Sequence, residues 1–297
     1  MTKKRLDYMD MIKGIGIFGI VVMHSTTVPL KAIWWISSVA PPLFFLMSGM
    51  MIGYTKEPEK SMKEILIRKG RSLLTPFLCF SLCYILRDIL RVVMGISDME
   101  EVWLGVNDMF TFWGSSVLWF LPALFLAESI FIGLRKAVTG RRYALVWTVL
   151  LCLILTVVSF FVNGMLKPLE GFFLLERLLY ALLCVIRTFL RAVYALPFVG
   201  AGYLLFEGFP EFWAGGKKLP LWGQLAGGSL LFLLGIPISV ANGSFDFRSL
   251  SFGEIPVLFY LSALLSFGGI LLICKSLPPV KPLLFFGKNS LIVMATH

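Results

Sequence analysis

What most limits the fold of this chain is a series of apolar stretches, each about 18 residues or longer, recurring from one end to the other. A bilayer core about 30 Å thick takes about 20 helical residues to cross, and in lipid the backbone amides and carbonyls must bond within their own segment. Windows of that length predict spans near 14–30, 34–54, 73–93, 116–134, 143–163, 192–207, 221–241 and 255–274, with a ninth opening near 283. Composition agrees, because the chain is 58% apolar and 15% charged, against about 45–50% and about 25% in soluble domains. The expected fold class is therefore all-α, a polytopic integral membrane helical bundle, organised as a single domain over residues 1–297. The ninth span reaches only His297, short of a full crossing, so the chain is expected to be truncated at its C-terminus.

Basic residues set the expected orientation, since Lys and Arg are retained on the cytoplasmic side of short loops. With the N-terminus inside, 19 of the 27 Lys and Arg fall on that side, including Lys3, Lys4, Arg5, the run from Lys56 to Arg71 and the run from Arg135 to Arg142. The acids Asp98, Glu100, Glu101 and Asp108 share one outer loop. The net charge of +10 is thus a topological signal, and nucleic-acid binding is not needed to explain it. Lys3-Lys4-Arg5 before an apolar stretch resembles a signal peptide, but a second span follows almost at once and the first helix is read as uncleaved. The stretch 163–191, interrupted by Arg177, Arg187 and Arg191, is expected to lie as an amphipathic helix at the outer interface. Cys79, Cys83, Cys152, Cys184 and Cys274 have no metal-ligand or CxxC spacing and are read as core residues.

Ionisable groups inside a bilayer are costly, by about 2.5–3.5 kcal/mol on insertion scales, so each is a functional candidate. His24 lies in Ile20-Val21-Val22-Met23-His24-Ser25, toward the end of the first predicted span, where desolvation favours the neutral imidazole that can accept a proton. A hydrogen bond to a neighbouring helix is the structural alternative. Lys13, eleven residues earlier, falls on nearly the same helix face about 16 Å away, and Asp10 stands at i−3 from it. A cation at the membrane's cytoplasmic mouth and a base deeper in it suit a long ligand with an anionic head, although Lys13 could also snorkel to lipid phosphate. Ile67 to Pro76 carries Arg68, Lys69 and Arg71 just before a span, suited to phosphate or to ordinary anchoring. Gly49 and Gly53 form a GxxxG pair read as a helix-packing surface, and Pro41-Pro42 are expected to kink the second span. Trp119 and Phe120 open the fourth span, which also holds Glu128. Asn289 and Ser290 form a polar patch at the start of the ninth, with His297 beyond. Asn242-Gly243-Ser244 matches a glycosylation sequon in a predicted outer loop.

Together these segments resemble the membrane acyltransferases of the acyltransferase-3 family, which O-acylate sugars and related surface molecules. The resemblance rests on Asp10-Met11-Ile12-Lys13-Gly14-Ile15-Gly16-Ile17 followed by His24-Ser25; on Phe45-Leu46-Met47-Ser48-Gly49; on Arg68 to Pro76; on Leu118-Trp119-Phe120; on Leu196-Pro197-Phe198-Val199-Gly200-Ala201-Gly202-Tyr203; and on Phe286-Gly287-Lys288-Asn289-Ser290-Leu291. Each motif is short, and their order along nearly the whole chain carries the match. The resemblance implies a plan of ten spans, of which about nine are present. It also implies His24 as the catalytic residue, and Lys13, Arg68 and Arg71 as the residues that take acyl-CoA; Asp10 is assigned with His24 to the catalytic set. Trp119, Phe120, Glu128, Asn289 and Ser290 are assigned to substrate binding.

The expected activity is transfer of an acyl group, acetyl first among candidates, from acyl-CoA to a hydroxyl of a carbohydrate or cell-surface glycan. Acyl-CoA is a co-substrate, and no permanently bound cofactor or metal is expected. The expected partners are membrane lipid, acyl-CoA and a carbohydrate or lipid-linked acceptor, in the plasma (bacterial inner) membrane. The alternative from another class is a transporter or channel with His24, Lys13 and Glu128 along a polar path. Paired repeats with broken helices would mark that class, and the sequence has none.

Overall fold

The structure, a computed structural model, describes residues 6–24, 28–166, 177–213 and 220–296. Its elements in chain order are α1 (Asp7–Met23), α2 (Leu30–Tyr54), α3 (Met62–Lys69), a π-helical turn (Gly70–Leu74), α4 (Thr75–Val93), α5 (Met99–Phe110), α6 (Phe120–Ala137), α7 (Ala144–Leu166), α8 (Arg177–Gly208), α9 (Pro210–Trp213) and α10 (Leu221–Asn242). A short antiparallel hairpin, β1 (Phe245–Asp246) and β2 (Ser251–Phe252), leads to α11 (Pro256–Ser276), α12 (Lys281–Lys288) and α13 (Ser290–Thr296). Among the described residues, seven helical stretches are long and apolar enough to cross a membrane. α1, with 17 residues, stands at the short end of the spanning range, about 17–25 residues. The fold is an all-α polytopic membrane bundle.

The solvent for this bundle can be read from its burial pattern. Along α7 the buried positions are Thr148, Cys152, Thr156, Ser159 and Asn163, while Leu153, Ile154, Val157, Val158 and Phe161 face outward. A helix in water would bury the second set and expose the first. In lipid the order inverts, because polar side chains need partners from neighbouring helices and apolar ones do not. Thr156 Oγ1 accordingly reaches the Val193 carbonyl on α8 at 3.3 Å. α10 repeats the pattern with Gln224, Gly228, Gly235, Ser239 and Asn242 inside.

The described residues group into two compact units. Unit 1 comprises Met1–Lys56 and Phe198–His297, and unit 2 comprises Glu57–Pro197. In unit 1, the GxxxG surface of α2 packs as its spacing predicts: a β-carbon at Gly49 would overlap the Val199 carbonyl, and one at Gly202 would overlap the Leu46 carbonyl. The same reciprocity joins α1 to α12, where a β-carbon at Gly14 would meet Leu283 and one at Gly287 would meet Asp10. Pro41 and Pro42 lie inside an uninterrupted α2, and beside them Ser38 Oγ pairs with Ser239 Oγ at 2.8 Å.

Several expectations are corrected. The first helix runs over Asp7–Met23 rather than 14–30, because Asp7 and Asp10 suit the positive end of its dipole and Pro29, in extended geometry, opens α2 instead. The loop and span around residue 73 are one helical rod, Met62–Val93. The Arg-bearing part of 163–191 from Arg177 onward is no separate interfacial helix: α8 runs unbroken from Arg177 to Gly208 and includes the span placed at 192–207. Its arginines find partners in unit 2, Arg177 on Glu100 at 3.3 Å and Arg191 on the Trp113 carbonyl at 2.8 Å. Residues 167–176 lie outside the described residues, as does His297. The ninth span is broken at Asn289, whose Nδ2 donates to the Phe285 carbonyl at 2.8 Å and ends α12. Cys79 and Cys83 are exposed on α4 rather than in the core, whereas Cys152, Cys184 and Cys274 are buried. Asn242, the sequon residue, is buried and ties down the hairpin: its Nδ2 donates to the Phe252 carbonyl at 3.0 Å and its Oδ1 accepts from Ile255 N at 2.8 Å.

Candidate active site

In unit 1 the functional side chains hang from α1. His24 occupies the closing turn, one residue beyond the helix, and is exposed. Its Nδ1 lies 2.9 Å from the Ile20 carbonyl oxygen. A carbonyl can only accept, so Nδ1 carries the hydrogen, and in the neutral ring Nε2 keeps the lone pair. A helix terminus thereby fixes both the ring's orientation and the tautomer of a proton acceptor. Asp10 is buried and Lys13 half-buried on the same helix, with Lys13 one full face-repeat from His24 at about 16 Å of rise.

The C-terminal polar patch is brought to the other end of α1. Gly287, two residues before Asn289, touches the Asp10 backbone, about 21 Å of helix away from His24. Asp10, Lys13 and the Asn289-Ser290 break are thus grouped around the α1–α12 contact, and the glycines at 14 and 287 are what allow it. A cleft of about 250 Å³, lined by Gly16, Gly19, Val22, Ile36, Ala40 and Phe232 among other apolar residues, falls on the face of α1 turned away from His24. It offers hydrocarbon space and no hydrogen-bonding chemistry for the imidazole.

Unit 2 holds two polar centres along α6, one at its middle and one where it begins. At the first, Lys69 Nζ donates to Glu128 Oε2 at 2.8 Å and stands 2.8 Å from Glu57 Oε2. All three residues are buried. The Lys69–Glu57 contact lacks hydrogen-bond direction at Oε2 and is held by charge. Glu57 Oε1 accepts from Arg68 Nη2 at 2.6 Å, leaving Arg68 44% exposed. The π-helical turn begins immediately after Lys69 and carries Arg71, which is exposed. Its wider ring, closed by Thr75 N on the Gly70 carbonyl, sits just before Pro76, which has no amide hydrogen to give to a regular helix. Glu128, predicted to bind substrate, is therefore committed to an ion pair with Lys69.

At the second centre, Trp119 and Phe120 are buried where α6 begins. They follow a turn in which Phe112, Gly114 and Ser116 all have positive φ, at 57°, 74° and 52°. Such backbone persists only where its surroundings hold it. Ser115 Oγ donates to Asp108 Oδ2 at 3.0 Å, and Gly114 N donates to the Asp108 carbonyl at 3.1 Å. Arg191, fully buried, donates to the Trp113 carbonyl and places its guanidinium 3.5 Å from the Trp113 ring centre and 5.4 Å from that of Trp119. On sequence grounds Glu57 was assigned no role, Lys69 only phosphate contact or anchoring beside Arg68 and Arg71, and Arg191 only a place in an interfacial helix. The available signal was the rule already applied to His24: an ionisable residue in or beside an apolar window asks for a partner.

Seven membrane-capable helices, with an imidazole held at the end of the shorter α1 and buried ion pairs among the helices of unit 2, make this an integral membrane protein that sets polar groups among apolar helices. Residues 6–297 match the acyltransferase domain of acyltransferase family 3, and the chain belongs to that family. It is accordingly a multi-pass membrane O-acyltransferase. No curated protein and no solved structure matches the chain.

Proposed function

We propose that this acyltransferase moves an acyl group, acetyl first among candidates, from acyl-CoA to a hydroxyl of a carbohydrate or lipid-linked glycan at the plasma (bacterial inner) membrane, with its N-terminus in the cytoplasm. The observation that carries the reading is the Nδ1 contact of His24 with the Ile20 carbonyl, which leaves Nε2 as the base. Lys13 in unit 1, and Arg68 and Arg71 in unit 2, are the cations assigned to the donor's phosphates, in keeping with the strength of charge-assisted bonds to phosphate. Trp119, Phe120, Asn289 and Ser290 are assigned to the acceptor, and buried Asp10 supports the Lys13 turn. Glu128 serves the donor side through Lys69.

In the direct route, Nε2 takes the proton of the acceptor hydroxyl as the oxygen attacks the thioester carbon. The C–S bond breaks, the ester forms, and the imidazolium returns its proton to the departing thiolate. In the two-step route Nε2 itself takes the acyl group and passes it to the hydroxyl. Acid quenching during turnover with labelled acetyl-CoA distinguishes them, since only the second yields label on His24.

The assignment is tested by thiol release from acetyl-CoA in membranes carrying the protein. His24→Ala is expected to lower release by about 10²–10⁴-fold with the protein still folded, because the side chain is exposed at the end of α1. Unchanged release would overturn it.

A further inference from the structure

We propose that Glu57 is a positioning residue for the donor's phosphates, acting through Arg68 and through the Lys69 anchor of the π-helical turn that carries Arg71. The proposal rests on the reading of Arg68 and Arg71 as phosphate-binding residues and adds what holds them in place.

Arg68 and Arg71 stand on exposed helical surface, where a long cationic side chain is otherwise free to sample many rotamers. A site for phosphate needs such side chains held before the ligand arrives. Glu57 supplies this for Arg68 in a specific way. It is 5% exposed and engages only Nη2, at 2.6 Å, so that among the described residues Nη1 and Nε have no carboxylate partner and remain for an anion. A planar guanidinium held along one side by a buried carboxylate presents its other N–H groups in a fixed direction.

The same carboxylate sets the origin of the π turn. Lys69 is clamped from two sides, by Glu57 Oε2 and Glu128 Oε2, each at 2.8 Å. Lys69 is also the residue from which the Gly70–Leu74 turn departs. The widened turn that displays Arg71 therefore starts from a buried fixed point, and π turns of this kind recur at functional sites. In charge, Glu57 and Glu128 offset Lys69 and Arg68, and Arg71, exposed on the turn, adds a further cation to attract a phosphate. Glu57 thus does two jobs from one position: it aims Arg68 and fixes the base of Arg71.

The test is equilibrium binding of coenzyme A and of dephospho-coenzyme A to the full chain in detergent, together with steady-state kinetics for acetyl-CoA. Arg71→Ala reports on the underlying reading and is expected to weaken coenzyme A binding by about tenfold or more. Glu57→Gln is expected to weaken it by about fivefold to tenfold and to raise KM for acetyl-CoA by the same factor. The value of kcat at saturating donor should stay near that of the parent, a split that general loss of structure would not give, and Glu57→Asp should recover part of the affinity. A triple variant, Glu57→Gln with Lys69→Met and Glu128→Gln, removes the buried charges together so that none is stranded; it should show the same loss if the single variant does not fold. Coenzyme A binding that is unchanged or tighter in the folded Glu57 variants, while Arg71→Ala weakens it, overturns the positioning role alone. Unchanged binding in Arg71→Ala overturns the phosphate reading and the proposal with it.

Discussion

In unit 1 no β-carbon can be added at Gly49 or Gly202 without striking the facing backbone, whereas in unit 2 Gly133 on α6 and Gly164 on α7 have open space around them. The charges are distributed the other way. Unit 2 buries Lys69 between Glu57 and Glu128, Asp88 beside Arg87 and Arg191 beneath two tryptophans. In unit 1 the contacts between helices run mainly through small residues and single hydroxyl pairs such as Ser38 with Ser239. Lipid supplies no hydrophobic force between helices, so association has to come from close packing or from polar bonds. The two units show both solutions in one chain. Close packing fixes helix positions without reactive groups. Buried ions fix side-chain directions, and they accompany the arginines assigned to an anionic ligand.

The comparison is tested most severely at Glu128. Glu128→Ala strands the Lys69 ammonium on one side, and breaking a buried pair in this way costs about 3–5 kcal/mol. Thermal or denaturant unfolding in detergent should register that loss. Lys69→Met combined with Glu128→Leu and Glu57→Gln should recover most of it, because neutral groups of similar volume replace buried charges at little cost and none is left stranded. Full stability in the single variant would break the claim that unit 2 is held by charge. In unit 1 the corresponding change is Gly202→Ala, which pushes a methyl group into the Leu46 carbonyl and should cost about 1–3 kcal/mol. The same substitution at Gly133 meets nothing within 4 Å and should stabilise by up to about 1 kcal/mol through helix propensity. Equal effects at the two glycines would erase the distinction.

How much of this was legible depends on which kind of contact a region uses. GxxxG and the apolar windows are local patterns, so the α2 packing surface and most of the spans could be read directly. Lys13 lies on α1 and His24 caps the same helix, on the face their spacing implies. Helix ends were less legible, because hydropathy averaged over a window does not see that Asp7 starts α1 and Pro29 opens α2. The join of Met62–Lys69 to α4 depends on a π turn, whose signal, a proline six residues after Gly70, is indistinguishable in sequence from a helix start. The ion cluster was least legible: Glu128 meets Lys69 across 59 residues of chain, and an apolar helix with one acid names no partner.

The turn before Trp119 offers a smaller effect within unit 2. Gly114 has φ of 74°, and a β-carbon there would overlap the Trp119 backbone. Gly114→Ala should cost about 1–2 kcal/mol from the left-handed backbone, more if the overlap cannot relax, and should perturb the fluorescence of Trp113 and Trp119 before it alters overall helicity. Circular dichroism unchanged beside a shifted emission is the expected result. A variant as stable as the parent with unaltered emission would show that the turn is not held as Arg191 and Asp108 suggest.

The smallest expected effect comes from the other end of α8. Arg177 carries the same side chain as Arg191 on the same helix, but it is 68% exposed and its partner Glu100 is 58% exposed, at 3.3 Å. An exposed pair pays side-chain entropy and is screened by salt, so its contribution lies at about 0–1 kcal/mol. Arg177→Ala should therefore shift unfolding little at low ionic strength and not at all in molar salt, while Arg191→Met, which removes a fully buried donor from the Trp113 carbonyl, should destabilise at every salt concentration. Salt-independent loss at Arg177 would mean that its cation–π contact with Trp103, 4.9 Å from the ring centre, outweighs the ion pair, and that burial rather than charge partnership is what separates the two arginines.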